Sequence, residues 1–389
     1  MLTNTQSIQD ILARLVSFDT TSRNSNLPLI EWVEQYLADH GVASERVYDP
    51  SGEKANLYAT IGPADVPGYI LSGHTDTVPV DGQDWHTNPF ELVASEDKLY
   101  GRGTVDMKGF LACVLSRVPD MVNADLGAPI HLAFSCDEEV GCRGVPFLLK
   151  ELVDRPVKPR ACFVGEPSSM EVVIAHKAKR SFRAEFIGKA CHSSQAPSGV
   201  NAISYASRLI TYLDRLAEKL AGGPKGDLYD VPISTAHVGV VHGGAALNIV
   251  PDRCTVDYEF RVLPSEDIAA IAQGVTDYVA TLDREMKARA PECGAQVHVL
   301  SAFPGLDTEP GDEVVKLALN LAGEQRVKKV AYGTEAGLFT QTLGVPSVVL
   351  GPGSIDQAHT PNEFVSIDQL ALCGSFIDRL IATTSQAER

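Results

Sequence analysis

No apolar run in this sequence approaches the ~18–20 residues that a helix needs to cross a bilayer, which excludes a helical membrane protein. The opening stretch MLTNTQSIQDILARLV has no basic segment ahead of an apolar one, so no secretory signal is expected and a cytoplasmic location is predicted. Cationic charge is scarce: 33 Lys and Arg face 50 Asp and Glu, a net charge of −17. With no basic run to offset phosphate, a nucleic-acid partner is excluded. No CxxC pair occurs, and the eight cysteines (113, 136, 142, 162, 191, 254, 293 and 373) are scattered through apolar segments. Buried free thiols in a reducing compartment are therefore expected rather than a disulfide framework. Internal repeats and low-complexity tracts are also missing.

What remains is a chain of 389 residues, 44% hydrophobic and 21% charged, the proportions of a soluble globular protein. That length exceeds one ordinary core, so two domains are expected. Helical spacing marks 5–16 and 28–39, strand-like runs follow at 55–61 and 67–73, and Met107–Val118 reads as a helix starting near Asp106. A strand at 129–135, a helix at 144–153 and a strand at 161–165 continue an alternation that predicts an α/β sheet with helices on both faces. After Lys179 the rhythm changes to strand 181–187, helix 201–220, strands 233–241 and 253–262, helix 265–289 and strand 295–301. That β-α-β-β-α-β order is a small α+β domain in its own right. Beyond Pro304 the α/β rhythm resumes with helix 312–322, strand 328–331, helix 335–342, strand 346–350 and helix 366–383. A discontinuous domain, 1–179 plus 303–389, is predicted to carry an inserted domain at 180–302.

The chemistry concentrates at strand ends. His74 and Asp76 lie two residues apart after an apolar run, so their side chains leave on one face. A ligand histidine commonly gives its second ring nitrogen to a carboxylate, a role open to Asp76. Asp106 sits in the turn GRGTVDMKG. The strand 129–135 runs into Asp137-Glu138-Glu139, where neighbouring side chains diverge: one of Glu138 and Glu139 can bind metal while the other faces a water as general base. Glu166 follows another apolar run, and His359 lies just past the strand 346–350. Ligands of open α/β sheets collect beyond the carboxyl ends of the strands. Two histidines and three carboxylates are too many for one tetrahedral zinc with an open position. They suit two cations ~3.5–4 Å apart, one carboxylate bridging and a water between them. Imidazole with hard oxygen donors favours Zn²⁺, Co²⁺ or Mn²⁺.

The motifs SGHTDTVP, GRGTVDMKG, CDEEVG, VGEPS and GPGSIDQAHTPNE, in this order, resemble the M20 family of di-zinc amidohydrolases and peptidases. The resemblance runs nearly end to end and includes the inserted segment. It implies an α/β, aminopeptidase-like catalytic domain holding two Zn²⁺, with Co²⁺ able to substitute. It further implies that Asp106 bridges, that His74 and Glu166 complete one site and Glu139 and His359 the other, and that Glu138 is the general base while Asp76 holds His74. A cis peptide after Asp106 is part of the same pattern. The inserted α+β (βαββαβ) domain is implied to be a lid that forms a homodimer, with His192, Asn248 and Arg261 at substrate-binding positions. His192 would stabilise an oxyanion, and Arg261 suits a substrate carboxylate. DMKGF, GTEAGLFTQ and the late motif look most like the acetylornithine deacetylase branch, which implies an N-acyl amino acid substrate. Cys191 departs from that branch, where glycine commonly precedes the histidine.

Overall fold

The computed structural model describes residues 2–385, which form two compact units. The first takes in the chain up to Ala175, Leu306–Lys329 and the chain from Thr334 onward; the second is His176–Gly305 with Val330–Gly333.

The first unit is built on a nine-stranded sheet ordered Ser44–Tyr48, Ala55–Ile61, Ile130–Ser135, Tyr69–His74, Ala161–Val164, Ser347–Val349, Val172–His176 and Leu306–Asp307, with Val327–Val330 beside Val172–His176. The four central strands, from Ile130–Ser135 to Ser347–Val349, run parallel, while the neighbours that flank them are antiparallel. Register brings their carboxyl ends nearly level: His74 pairs with Ser135, Ser72 with Val164, and Val349 with Val164. Chain leaving any of these strands therefore emerges on one rim.

Side-chain alternation divides this sheet into two faces. Leu57, Ala59, Ile61, Leu71, Ile130, Leu132, Phe134 and Phe163 share one apolar core with residues of Leu2–Val16, Leu27–Asp39, Gly109–Ser116, Glu313–Ala322 and Ile367–Thr384. Residues of opposite parity do different work. Tyr58 stacks on His131 with centroids 5.5 Å apart and carries the Arg155 guanidinium 4.8 Å above its ring. Ser72 and Ser135 reach the carboxylate of Glu335. Each fully buried phenylalanine in the shared core contributes about 1.5–3 kcal/mol relative to exposure.

The second unit has a four-stranded antiparallel sheet ordered Thr235–Gly243, Arg253–Val262, Ala178–Ile187 and Gly294–Phe303. Chain order is strand, helix Ala202–Ala221, two strands, helix Ile268–Arg289 and strand. Phe182, Ala184, Phe186, Val256, Tyr258 and Phe260 alternate onto one face and pack against Leu209, Leu213, Val275, Val279 and Leu282 of the two helices. The intervening residues stay wetter, as a one-sided antiparallel sheet requires. Both helices start on polar caps: Asn201 accepts from the Ser204 N–H at 3.1 Å, and Asp267 from Ala269 and Ala270.

One expectation needs correcting. Met107–Val118 is not one helix: the regular helix is Gly109–Ser116, and Val118–Asn123 is a second one with Pro119 in its first turn. Proline lacks the N–H that a continuing helix would use, and it fits a new start. Asp106 and Met107 have non-helical dihedrals, and the bond between them is cis. The short hairpin Val93–Ser95 and Lys98–Tyr100, which pairs onward with Phe364–Ser366, is an element that periodicity misses. All eight cysteines are free, and seven of them are buried. No helix among the described residues is long and apolar enough to cross a membrane.

Candidate active site

Each parallel strand delivers one part of a cluster to the shared rim, its His74, Asp106 and Glu166 buried and its His359 half-exposed. His74 ends Tyr69–His74, Glu138 and Glu139 follow Ile130–Ser135, Glu166 follows Ala161–Val164, and His359 lies in the loop after Ser347–Val349. Asp106 comes from the turn ahead of Gly109–Ser116 and is the common neighbour. Its Oδ1 lies 2.9 Å from His74 Nε2, and its Oδ2 lies 3.1 Å from His359 Nε2. Glu166 Oε1 is 3.6 Å from His74 Nε2, and Glu139 Oε2 is 3.0 Å from His359 Nε2. Five of these groups thus fall into two sets that share Asp106, one oxygen turned to each, with Glu138 beside them. Coordinating atoms of His74, Asp106 and Glu139 all lie within 4.8 Å of one another, as do those of His74, Glu138 and Glu166.

Electrostatics make the cluster intolerant of its own charge. Burial, reinforced by Glu139, pushes the Glu138 carboxyl up to about 8. Burial and the Asp106 charge push Glu139 up to about 7, and the same two causes raise Glu166 well above the usual range. Burial also opposes ionisation of Asp106, but hydrogen bonds from His359 and His74 hold it below the ordinary carboxylate value. Hydrogen bonds to Asp106 and Glu139 lift His359 to about 10. For His74 burial disfavours the charge, yet Glu166 and Asp106 outweigh it and raise the pKa well above normal. Protons on its carboxyls and imidazoles lower the charge of this cluster. Divalent cations would replace them, and two nitrogen donors with hard oxygens on either side of a shared carboxylate fit such ions.

The neighbouring groups hold the donors in place. His74 Nδ1 donates to the main-chain carbonyl of Asp76 at 2.9 Å, which leaves Nε2 facing the cluster. The Asp76 carboxylate lies farther off, 3.7 Å from Nδ1. It accepts instead from Ser22 Oγ at 2.7 Å and from the main-chain N–H groups of Glu138 and Glu139 at 3.0 and 3.3 Å. Asp76 therefore fixes the His74 ring with its backbone and the Glu138–Glu139 turn with its side chain. Glu138 Oε1 accepts from the buried Cys142 thiol at 3.1 Å. Glu335 accepts from Ser72 and Ser135 at 2.6 and 2.7 Å, tying together the strand ends that lead to His74 and Glu138. Sequence reasoning gave no role to Ser22, Cys142, Glu335 or Glu363. Glu335 and Glu363 lie inside GTEAGLFTQ and HTPNE, so the signal was a carboxylate in a motif whose purpose was unread.

His192, Asn248 and Arg261 belong to the second unit. The exposed His192 caps the short helix Ser193–Ser198, its Nδ1 accepting from the Ser194 N–H at 3.2 Å. The Asn248 carbonyl accepts from the Ser193 N–H at 2.9 Å. Arg261 Nε donates to Glu259 at 3.0 Å, the strand-face ion pair that an arginine at this place readily forms.

A parallel-strand rim that gathers imidazoles and buried carboxylates around one shared aspartate defines a metal-binding hydrolase of the α/β class. Comparison with known proteins makes the class specific. Residues 70–383 match peptidase family M20/M25/M40. Acetylornithine deacetylase from Myxococcus xanthus is 33% identical over 383 residues, covering 97% of each chain. A tripeptidase from Staphylococcus aureus subsp. aureus Mu50 has a similar structure, with TM-score 0.76, 25% identity and 98% of each chain covered. A dinuclear metal-binding M20 peptidase from Bacillus subtilis shares the fold at TM-score 0.66 and 13% identity, covering 99% of each chain. The chain belongs to the M20 peptidase family, and it is a hydrolase acting on amides.

Proposed function

We propose that this protein is a two-metal amidohydrolase that cleaves N²-acetyl-L-ornithine to L-ornithine and acetate, a deacetylation step of arginine biosynthesis. The observation that carries the metal reading is Asp106 with one oxygen toward His74 and the other toward His359. The substrate reading rests on similarity to acetylornithine deacetylases. Two Zn²⁺, with Co²⁺ able to substitute, would be held by His74, Asp106 and Glu166 on one side and by Asp106, Glu139 and His359 on the other. When bound, such ions polarise an amide carbonyl and make water a nucleophile near neutral pH.

The chain's own residues supply the rest. Glu138, whose Oε1 accepts from the Cys142 thiol, takes the proton of the attacking water. As the tetrahedral centre collapses and the C–N bond breaks, it passes that proton to the departing amine. Asp76 keeps both ends of this apparatus in register. We assign substrate binding to His192, Asn248 and Arg261, with His192 stabilising the oxyanion and Arg261 pairing with the substrate carboxylate. A homodimer through the second unit and a cytoplasmic location complete the proposal. The dimer is favoured by the outer strand Thr235–Gly243, whose Val240 and Val241 are exposed, and by the fully exposed Leu247 nearby.

Glu138→Gln tests the proton transfer. It is expected to lower kcat by orders of magnitude with metal content intact; near-normal turnover would remove Glu138 from the role. Similarity to a tripeptidase supports a second reading, in which the same apparatus cleaves a short peptide. Parallel assays with acetylornithine and small peptides separate the two.

A further inference from the structure

The proposed chemistry leaves one buried ion pair without a purpose. Glu363 is 1% exposed and Arg102 0%, and Arg102 Nη1 donates to Glu363 Oε2 at 2.6 Å. Three main-chain groups share the same carboxylate. Gly103 N–H donates to Oε2 at 3.0 Å, while Val105 and Asp106 N–H donate to Oε1 at 2.9 and 3.2 Å. Both oxygens are fully used, and every donor belongs to the turn that presents Asp106. Arg102 is itself fixed: Nη2 donates to Gln83, and the guanidinium lies 5.0 Å from the Trp85 ring centroid.

Glu363 also follows His359 by four residues in the sequence. From Glu363 onward the chain is laid against the segment that leads to Asp106. Ser366 pairs with Lys98, Val365 with Leu99 and Phe364 with Tyr100. The Glu363 carbonyl then accepts from Gly101 N–H at 3.0 Å, and its carboxylate reaches on to Gly103, Val105 and Asp106. This ladder ends where His359 Nε2 stands 3.1 Å from Asp106 Oδ2. A buried ion pair is a weak source of stability compared with packed apolar residues. Its geometry here is that of a spacer between two donors that come from opposite ends of the chain.

We infer that Glu363, neutralised by Arg102, is a positioning residue that sets the separation of Asp106 and His359 and thereby the affinity of the cation site they share with Glu139. The inference rests on the two-cation reading of the cluster. It assigns Glu363 no contact with substrate.

The test titrates metal-free full-length protein with Co²⁺, followed by calorimetry and visible absorption, for wild type and Glu363→Gln. Glutamine keeps one acceptor oxygen and turns an amide N–H₂ toward the other pair of donors, either Arg102 and Gly103 or Val105 and Asp106. Wild type is expected to bind two equivalents. The variant is expected to keep one near wild-type affinity and to bind the other about 10–100-fold more weakly, with an altered Co²⁺ spectrum. A merely structural role would lower the melting temperature and leave both affinities and the spectrum unchanged, and that result overturns the inference. If Glu363→Gln does not fold, Glu363→Asp carries the test with the same two outcomes, because it keeps the charge and withdraws the carboxylate by one methylene. Wild type binding fewer than two Co²⁺ would overturn the two-cation reading and this inference together. Two equivalents bound equally by wild type and variant would overturn this inference alone.

Discussion

Asp76→Asn separates two ways in which one aspartate can serve the site. The carboxylate is buried and accepts three hydrogen bonds, from Ser22 Oγ, Glu138 N–H and Glu139 N–H. Asparagine offers one oxygen. Placed at Oδ1, that oxygen keeps Glu138 and leaves Glu139 N–H facing an amide donor, while Ser22 can turn its hydroxyl to accept. Placed at Oδ2, it keeps Ser22 and Glu139 and strands Glu138 N–H. Either way one main-chain donor loses its acceptor, at a cost of about 1–3 kcal/mol, and the retained bonds lose their charge assistance. Denaturant melts are therefore expected to show a loss of about 2–4 kcal/mol. A turn displaced by an ångström at Glu138 would lower kcat by about 100-fold. Cation affinity is expected to change little, because His74 is held by the Asp76 carbonyl, which the substitution keeps. Two results would refute this reasoning. One is unchanged stability and turnover; the other is a fall of about 10–100-fold in cation affinity, the signature of a carboxylate acting through the imidazole.

Other substitutions probe the frame around the site. His131 is buried against Tyr58, and its Nδ1 lies 3.0 Å from Thr60 Oγ1; burial, helped by Arg155, lowers its pKa from 6.5 to about 4. The unfolded chain then binds more protons than the folded one between those values, so stability falls as pH drops from about 6.5 to about 4. By pH 5 the loss from this group is about 2 kcal/mol, and in paired melts His131→Gln should flatten that part of the pH dependence. Gly103 has φ 80°, and an added Cβ would lie 2.7 Å from Thr77 Cγ2. Gly103→Ala is expected to cost about 1–3 kcal/mol, measured by denaturant melts, and to weaken cation binding by shifting the Asp106 turn.

The sequence makes regular elements readable where burial imposes a period. Residues 253–262 are read at their observed bounds because alternate side chains face a core, and 55–61 because a run buried at nearly every position stands out as a short apolar stretch. The hairpin of Val93–Ser95 and Lys98–Tyr100 has strands of three residues, too short for any period to register. Cluster residues were readable for a related reason: apolar runs end in His or a carboxylate, and parallel strands end on one rim. Groups that hold the cluster in place were not readable in that way. Asp76 meets Glu138 across 62 positions, Glu363 meets Asp106 across 257, and Ser72 meets Glu335 across 263. No local spacing rule connects such pairs; the folded sheet does. Asp76 illustrates the limit, since its proximity to His74 in sequence suggested a carboxylate–imidazole contact, whereas the backbone makes that contact and the side chain reaches elsewhere.

The most direct test of the central claim is ornithine release from N²-acetyl-L-ornithine, run beside succinyl-diaminopimelate, acetyl-methionine and a tripeptide, with chelated protein before and after Zn²⁺ is restored. The account predicts no turnover after chelation and zinc-restored turnover of acetylornithine well above the other three. Full activity in the chelated protein would contradict the metal reading, and zinc-restored activity confined to another of these compounds would contradict the substrate.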